Sequence, residues 1–232
     1  MINFSDEEIT AIYLSFKIAT VASLLSLPIG IWLGFILARK NFYFKKILVS
    51  LINLPLILPP VVTGYLLLIL FGSNGLIGKF LLDNFNFSFA FKWTGAALAC
   101  AIMGFPLMVR SIKLAIEMID VKIENAAKTL GASPLKVFFT ITLPISVPGI
   151  IAGTTLSFAR ALGEFGATIT FVSNIPGETQ TLSAAIYTFL QIPNGEDMAL
   201  RLTAISIIIS ILAIYFSEVI LEKILKTNKR YE

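Results

Sequence analysis

The sequence predicts an all-α integral membrane protein with about five full transmembrane helices, a short outer-side helix and a cytoplasmic hairpin of two short helices. Apolar residues make up 56% of the 232-residue chain and charged residues only 14%, whereas a soluble domain carries about 25% charged residues. The mean hydropathy of +0.87 agrees with this composition. The apolar runs are continuous rather than alternating, so the sequence favours helices over a transmembrane β-barrel.

Five apolar segments are long enough, or nearly long enough, to cross a bilayer, which takes about 20 helical residues. Within a single transmembrane domain of residues 1–232, we expect these spans at residues 9–38, 47–71, 91–110, 141–164 and 199–221. The last span requires Arg201 and Glu218 to lie at the membrane interfaces. Pro55, Pro59 and Pro60 predict a break or kink in the second span.

Two pairs of glycines four residues apart predict sites of close helix packing. Gly30 and Gly34 lie in the first span, and Gly149 and Gly153 lie in the fourth. Such small residues let two helix backbones approach each other. We expect these contacts inside one subunit, with a dimer interface as the alternative.

The basic residues indicate the orientation of the chain. Most of them lie in three regions, 39–46, 110–136 and 223–230, and the positive-inside rule places all three in the cytoplasm. We therefore expect a multi-pass protein of the cytoplasmic (inner) membrane, with its N-terminus outside and its C-terminus and the loop at 121–140 inside. The apolar stretch 182–192 is too short to cross and predicts a re-entrant or interfacial helix on the outer side. The net charge of +4 then reflects topology and not nucleic-acid binding.

Several residue types and motifs that catalysis needs are missing from the sequence. It contains no histidine, and its single cysteine, Cys100, lies inside the third span. These counts exclude a disulfide within the chain and argue against Cys–His catalysis and cysteine-rich metal sites. The phosphate-binding pattern GxxxxGK[ST] is also absent, so we do not expect the chain to hydrolyse ATP by that common route. We expect no catalytic residue, no metal site and no cofactor bound by this chain.

The stretch Glu124–Pro144 predicts two short helices joined by a turn. Read as a helix, Lys122–Leu130 carries one narrow apolar face, which is formed by Ile123, Ala126, Ala127 and Leu130. Gly131 suits the position after a helix end, and Ser133 followed by Pro134 favours a second helix over 135–139. A hairpin of this kind in a water-side loop fits a docking surface for a partner. The alternative is a helix pair that lies against lipid headgroups.

This stretch resembles the cytoplasmic signature loop of binding-protein-dependent ABC transporter permeases, written EAA-x3-G-x9-I-x-L-P. The alanines, the glycine and the closing Ile141, Leu143 and Pro144 match at the motif's spacing. The motif's glutamate position is Asn125, with the acid displaced to Glu124, so it stays open which of the two meets a partner. The resemblance implies that the hairpin docks on a separate ATP-binding subunit, which would hold ATP and Mg²⁺. The residues implied in this coupling are Glu124, Asn125, Ala126, Ala127, Gly131, Leu143 and Pro144.

Other segments narrow the resemblance. Molybdate transporter permeases have segments similar to Asn53–Gly72 and Phe158–Leu182. Oxyanion permeases as a group share a segment like Leu162–Gly166. The run Phe171–Thr181 favours molybdate over sulfate as the transported anion. The resemblance implies the permease subunit of an ATP-driven molybdate importer, a homodimer with two ATP-binding subunits and an extracytoplasmic molybdate-binding protein. Tungstate, sulfate or thiosulfate are alternative cargoes. An ion-gradient-driven secondary transporter is less favoured, because the spans show few ionisable residues and no inverted repeat.

Polar residues in and after the fourth span are candidates for the substrate path. Molybdate is a tetrahedral dianion, so its path should offer neutral hydrogen-bond donors without a dense cationic site. The candidates are Thr154, Thr155, Ser157, Arg160, Glu164, Thr168 and Ser173. The alternative for each hydroxyl is a hydrogen bond within its own helix or to a neighbouring helix. The charged pair, four residues apart, fits either a gate or a structural bridge.

Overall fold

The computed structural model describes residues 4–228, with side chains described up to residue 222. Its regular elements in this range are eleven α-helices and one π-helical turn, which confirms the all-helical prediction. They are α1 Asp6–Arg39, α2 Lys45–Ile57, α3 Pro60–Phe71, α4 Leu76–Phe85, α5 Trp93–Glu117, α6 Val121–Thr129, α7 Pro134–Val137, the π turn Phe138–Thr142, α8 Leu143–Leu162, α9 Gly166–Val172, α10 Leu182–Phe189 and α11 Glu196–Asn228. Lys229 and Arg230 of the predicted basic tail lie outside the described residues.

Four helical stretches in the described part of the chain are long and apolar enough to cross a membrane. They are α1, α5, α11 as far as Glu222, and the continuous run from α7 through α8. The pair α2 and α3 makes a fifth if it counts as one span. The first and fifth predicted spans lie within α1 and α11, and the third and fourth overlap α5 and α8 but each extends two residues beyond the helical stretch.

The second predicted span is not a single straight helix. α2 ends at Ile57, α3 begins at Pro60, and the two helices are bent by 113°. Pro59 and Pro60 lack amide hydrogens, and a proline disfavours helical backbone in the residue before it. Leu58 and Pro59 accordingly adopt extended ψ angles of 144° and 133°. The pair therefore forms a broken span or a re-entrant loop, and α4 after it is a helix that the sequence pattern did not predict.

α5 is the central helix of the bundle, with α1 running parallel to it and α8 antiparallel. Both neighbours approach α5 through glycines. A Cβ added to Gly34 would lie 2.7 Å from Cγ2 of Ile112, and one added to Gly153 would lie 2.9 Å from the carbonyl oxygen of Met108. The two predicted glycine pairs therefore pack on α5 within one subunit, as expected.

The bundle has two ends, which carry different elements. The hairpin end contains the end of α1, the start of α2, the end of α5 and the α6–α7 hairpin. The opposite end contains the starts of α1, α5 and α11 together with α10. α1, α5 and α11 run toward the hairpin end, and α8 runs away from it.

α10 is the short helix predicted within 182–192, and one of its faces is packed against the bundle at the opposite end. Leu182, Ala185 and Phe189 form a core cluster with residues of α1 and α11. The amide of Leu182 donates to Oγ of Ser15 on α1 at 2.6 Å. α10 thus joins the first turns of α1 to the start of α11.

Candidate coupling hairpin and substrate segment

The α6–α7 hairpin has the turn chemistry that the sequence predicts. Asp120 adds a cap to α6 that the sequence pattern did not predict, since its side chain accepts a hydrogen bond from the amide of Lys122 at 2.9 Å. Gly131 follows the helix with a φ of +87°, a conformation that glycine adopts without steric cost. The amides of Gly131 and Ala132 donate back to the carbonyls of Lys128 and Ala127, each at 3.0 Å. These two bonds close the end of α6 in the manner of a Schellman motif, so the turn between the arms is specified locally.

The second arm of the hairpin continues directly into the membrane. Oγ of Ser133 accepts from the amide of Lys136 at 3.3 Å and starts α7, which has only four residues. The chain then passes through the π turn Phe138–Thr142 into α8, where Leu143 and Pro144 occupy the first turn. Helix runs without a break from Pro134 to Leu162, so the second arm of the hairpin and α8 form one continuous helix.

The predicted apolar face of α6 is open to the surroundings. Leu130 is 88% exposed, and Ile123 and Ala126 are also exposed. Leu135 on α7 is also an exposed apolar residue, at 71%. Exposed apolar residues of this size fit both alternatives that the sequence left open, a contact with a partner protein and a contact with lipid headgroups.

The displaced acid of the motif points into the protein. The side chain of Glu124 is only 6% exposed and accepts from Nη2 of Arg39 at 3.0 Å and from its Nε at 3.1 Å. Oγ1 of Thr142 in the π turn donates to the same carboxylate at 2.8 Å. Asn125, by contrast, is exposed. Of the two residues between which the motif left a choice, Asn125 lies on the open surface and Glu124 joins α6 to α1 and to the π turn.

Arg39 is a site residue that the sequence did not reveal. In the sequence it is one of the basic residues that indicate topology, and its partner is 85 positions away. Its Nη2 also donates to the carbonyl oxygen of Ile119 after α5 at 3.1 Å. A buried, bidentate Arg–Glu contact between residues so far apart leaves no local sequence pattern.

The predicted path hydroxyls do not share one open surface in the subunit. Oγ1 of Thr154 donates to the carbonyl of Ile150 at 2.8 Å, and Oγ1 of Thr168 donates to Phe165 at 2.9 Å, both within their own chain segment. Ser157 is buried between α8 and α5. Thr154 and Thr155 do line a cleft of about 250 Å³ between α1, α8 and α11. The assignment of these residues to a substrate path stays a prediction.

Arg160 and Glu164 form an ion pair at the break between α8 and α9. Their side chains are 2.7 Å apart, with Glu164 almost fully buried and Arg160 28% exposed. Oε1 of Glu164 also accepts from the amide of Ala167 at 2.8 Å. The carboxylate thus caps the first turn of α9 while it neutralises the arginine, a geometry that suits a structural bridge across the break.

The segment after α9 is anchored at the opposite end. Ser173 ends α9 with a φ of +65° and is exposed. Oε1 of Glu178 accepts from the amide of Trp93 at the start of α5 at 3.4 Å, and the Lys17 ammonium lies 3.6 Å from the Trp93 ring centroid. Asn174 donates to Oγ1 of Thr188 on α10 at 2.7 Å. The Glu178 and Asn174 contacts, which the sequence did not reveal, hold the loop against two helices, α5 and α10.

In the described part of the chain, no group of three or more histidine, cysteine, aspartate or glutamate side chains is arranged to hold a metal ion. Glu124, Glu164 and Glu178 are instead engaged by arginine or by backbone amides.

Comparison with known proteins gives one family and several relatives. Residues 26–230 match the model of the family described as binding-protein-dependent transport system inner membrane component. The chain is 56% identical over 211 residues to the molybdenum transport system permease protein of Haemophilus influenzae, covering 91% of this chain and 92% of that protein. It is 56% identical over 214 residues to the permease of the same name in Escherichia coli K12, covering 92% and 93%. A sulfate transport system permease of Salmonella typhimurium is 39% identical over 173 residues, which cover 75% of this chain and 62% of that one.

Solved structures show a similar fold at low sequence identity. An inward-facing structure of the MetNI methionine ABC transporter aligns with a TM-score of 0.74 at 14% identity, over 95% of this chain and 99% of that chain. A bacterial alginate ABC transporter in complex with an alginate-bound periplasmic protein aligns with a TM-score of 0.73 at 17% identity, over 92% of this chain and 77% of that chain.

Proposed function

Because the chain belongs to the binding-protein-dependent transport system inner membrane component family, we propose that it is the membrane-spanning permease subunit of an ATP-driven molybdate importer. Molybdate is proposed as the cargo on one observation, the 56% identity, over nine-tenths of the chain, to proteins named as molybdenum transport system permeases. The fold and the exposed hairpin support the transport role but are neutral about the cargo.

The subunit acts as a homodimer with two ATP-binding subunits and an extracytoplasmic binding protein that delivers molybdate. The exposed apolar surface of the hairpin supports the contact with the ATP-binding subunit, which holds ATP and Mg²⁺. One structural neighbour of this chain is part of a complex with a periplasmic protein. In this arrangement ATP hydrolysis takes place on the partner chain, and this chain contributes no catalytic residue.

The hairpin end faces the cytoplasm. Arg39, Lys40, Lys45 and Lys46 lie at that end next to α6, which itself carries Lys122 and Lys128. The concentration of basic residues there supports an outside N-terminus and an inside C-terminus. The opposite end, with α10 and the loop after Ser173, then faces the binding protein.

Transport proceeds as the ATP-binding subunits switch the substrate path between opening to the outside and opening to the cytoplasm. ATP binding draws the two hairpins of the dimer together, and each hairpin displaces α8 because the helix is continuous from Pro134. The segment from Thr154 to Ser173 lines part of the path and offers neutral hydroxyls to the tetrahedral dianion. Weak contacts of this kind permit release, whereas a dense cationic site would retain molybdate.

Sulfate is the second candidate cargo, because a named sulfate permease is 39% identical over three-quarters of the chain. Tungstate is a third, since it resembles molybdate in charge and shape. Selection among these anions belongs mainly to the binding protein.

The test is reconstitution of the permease with its ATP-binding subunit in proteoliposomes. ATPase activity and anion uptake are measured with binding protein loaded in turn with molybdate, tungstate and sulfate, with empty binding protein as the control. We expect molybdate-loaded binding protein to stimulate both activities. Stimulation only by the sulfate-loaded binding protein would show that the proposed cargo is wrong. Uptake without ATP or without the binding protein would contradict the proposed mechanism.

A further inference from the structure

Two buried Arg–Glu pairs hold α1, one near each of its ends. Glu8 in the first turn is fully buried and accepts from Nε of Arg201 on α11 at 2.9 Å. Arg39 in the last turn contacts Glu124 on α6 at 3.0 Å. The two pairs have the same chemistry, but only the second touches the hairpin.

At the hairpin end three elements meet on one carboxylate. Glu124 of α6 accepts hydrogen bonds from two nitrogens of Arg39 on α1 and from the hydroxyl of Thr142 in the π turn. Thr142 is completely buried. The same arginine also donates to the Ile119 carbonyl at the end of α5. Charge-assisted bonds to a bidentate arginine fix geometry as well as supplying energy.

An aromatic contact reinforces this junction. The rings of Phe35 on α1 and Phe138 in the π turn meet edge to face, with their centroids 4.9 Å apart. One end of α1 thus contacts both arms of the hairpin, the first arm through Arg39 and the second through Phe35. These contacts add a link to α1 beyond the covalent connections of the hairpin to α5 and α8.

We propose that Arg39, Glu124 and Thr142 form a positioning network that fixes the coupling hairpin to the end of α1, so that the hairpin, α1 and α8 move together when the ATP-binding subunit closes. Glu124 therefore acts inside the subunit and not on the partner's surface. This inference rests on the proposed transport function for its consequence, but its geometry is independent of the cargo.

The first test measures the hairpin's attachment directly. Spin labels are placed on Lys40→Cys and Lys128→Cys, both exposed sites, and labelled subunits are diluted so that each dimer carries one labelled copy. The native Cys100 is fully buried and does not take up label. In the assembled complex we expect one narrow distance distribution, with or without ATP. In the neutral double variant Arg39→Gln/Glu124→Gln we expect a broad distribution.

The second test measures coupling in proteoliposomes as molybdate transported per ATP hydrolysed. We expect this ratio to fall about fivefold in the double variant, within the range that coupling networks contribute. The matched control is Glu8→Gln/Arg201→Gln, which removes the same chemistry from the other end of α1. It should leave the label distance and the ratio unchanged even if it lowers stability to a similar extent.

Thr142 supplies a milder variant in case the double variant does not accumulate. Thr142→Val keeps the shape but removes the donor to Glu124, and Thr142→Ser restores the donor. We expect Val to broaden the label distance and lower the ratio, and Ser to recover both. A narrow distance and an unchanged ratio in Thr142→Val and in the double variant would overturn the proposal, as would a loss of stability alone.

The two proposals fail in different ways. If the wild-type complex moves sulfate and not molybdate, the cargo is wrong, and the same ratio is then measured with sulfate. The label distances need no cargo, so they decide the attachment of the hairpin in either case.

Discussion

Ser157 of α8 packs directly on Gly104 of α5. A Cβ added to Gly104 would lie 2.5 Å from Oγ of Ser157 and 2.9 Å from its carbonyl oxygen. Such a contact leaves no room for a side chain, because the second atom belongs to the backbone. The two helices therefore cross closely at this glycine, and Ser157 is placed by packing.

Gly104→Ala should separate α5 from α8 and destabilise the subunit by about 1–3 kcal/mol, the usual result of overpacking. The measurement is thermal unfolding of the purified protein in detergent. Gly163→Ala is the control, since the nearest atom to its added Cβ lies 3.9 Å away. Equal melting temperatures for the two variants would contradict the close crossing.

The Glu8–Arg201 pair should respond asymmetrically to neutralisation. Arg201→Gln leaves a fully buried carboxylate without its cation and should cost about 3 kcal/mol. Glu8→Gln should cost less, because the Arg201 side chain is 29% exposed and can reach solvent. Measuring the unfolding of both variants in detergent tests which substitution destabilises the protein more.

A surface pair supplies the control for that comparison. Lys113 and Glu117 are both partly exposed and lie 3.1 Å apart. Lys113→Gln should change stability by no more than about 1 kcal/mol. If Glu8→Gln proved more harmful than Arg201→Gln, burial of the Glu8 carboxylate would not be the main cause of the destabilisation.

The parts of the molecule that the sequence predicts are those fixed by local chemistry. The Gly131 turn and the Ser133 cap depend on residues within a few positions, so their pattern is readable. The prolines predict the bend at Leu58, but its angle depends on the packing of α3 against α9. A Cβ on Gly64 would lie 2.4 Å from the carbonyl oxygen of Ala167, a residue more than 100 positions away.

The candidate site shows the same division. Hydropathy and motif spacing identify the hairpin, but they give no information on which way Glu124 points. That direction is set by Arg39, whose contact joins residues 85 positions apart. In the sequence, the path hydroxyls are chosen only because they are polar. In the structure, packing buries Ser157, and the Thr154 hydroxyl donates to a carbonyl of its own helix.

Leu130→Asp should weaken the contact with the ATP-binding subunit. Leu130 follows the end of α6 and is the most exposed apolar residue of the hairpin, and burying a charge in an interface core is unfavourable. We expect a loss of about 2 kcal/mol, or about 30-fold in Kd. The measurement is binding of the purified ATP-binding subunit to permease in nanodiscs.

Leu76→Asp on α4 is the matched control for the docking surface. Leu76 is 84% exposed and lies away from the hairpin. The variant should bind the ATP-binding subunit as the wild type does. A similar loss of binding in both variants would place the docking surface elsewhere.

Arg160→Gln separates the two interpretations of the Arg160–Glu164 pair. Because Glu164 is almost fully buried and also caps α9 through the Ala167 amide, loss of the arginine should leave an unpaired carboxylate and lower the thermal stability by about 3 kcal/mol. Arg160→Gln/Glu164→Gln keeps an acceptor for that amide and should recover most of the loss.

If the Arg160–Glu164 pair is a bridge, the double variant transports molybdate with normal coupling once its amount in the membrane is matched. If the pair is a gate, the double variant is stable but hydrolyses ATP without uptake. Parallel measurements of unfolding, ATPase activity and uptake on the two variants decide between these outcomes, and the capping geometry leads us to expect the first.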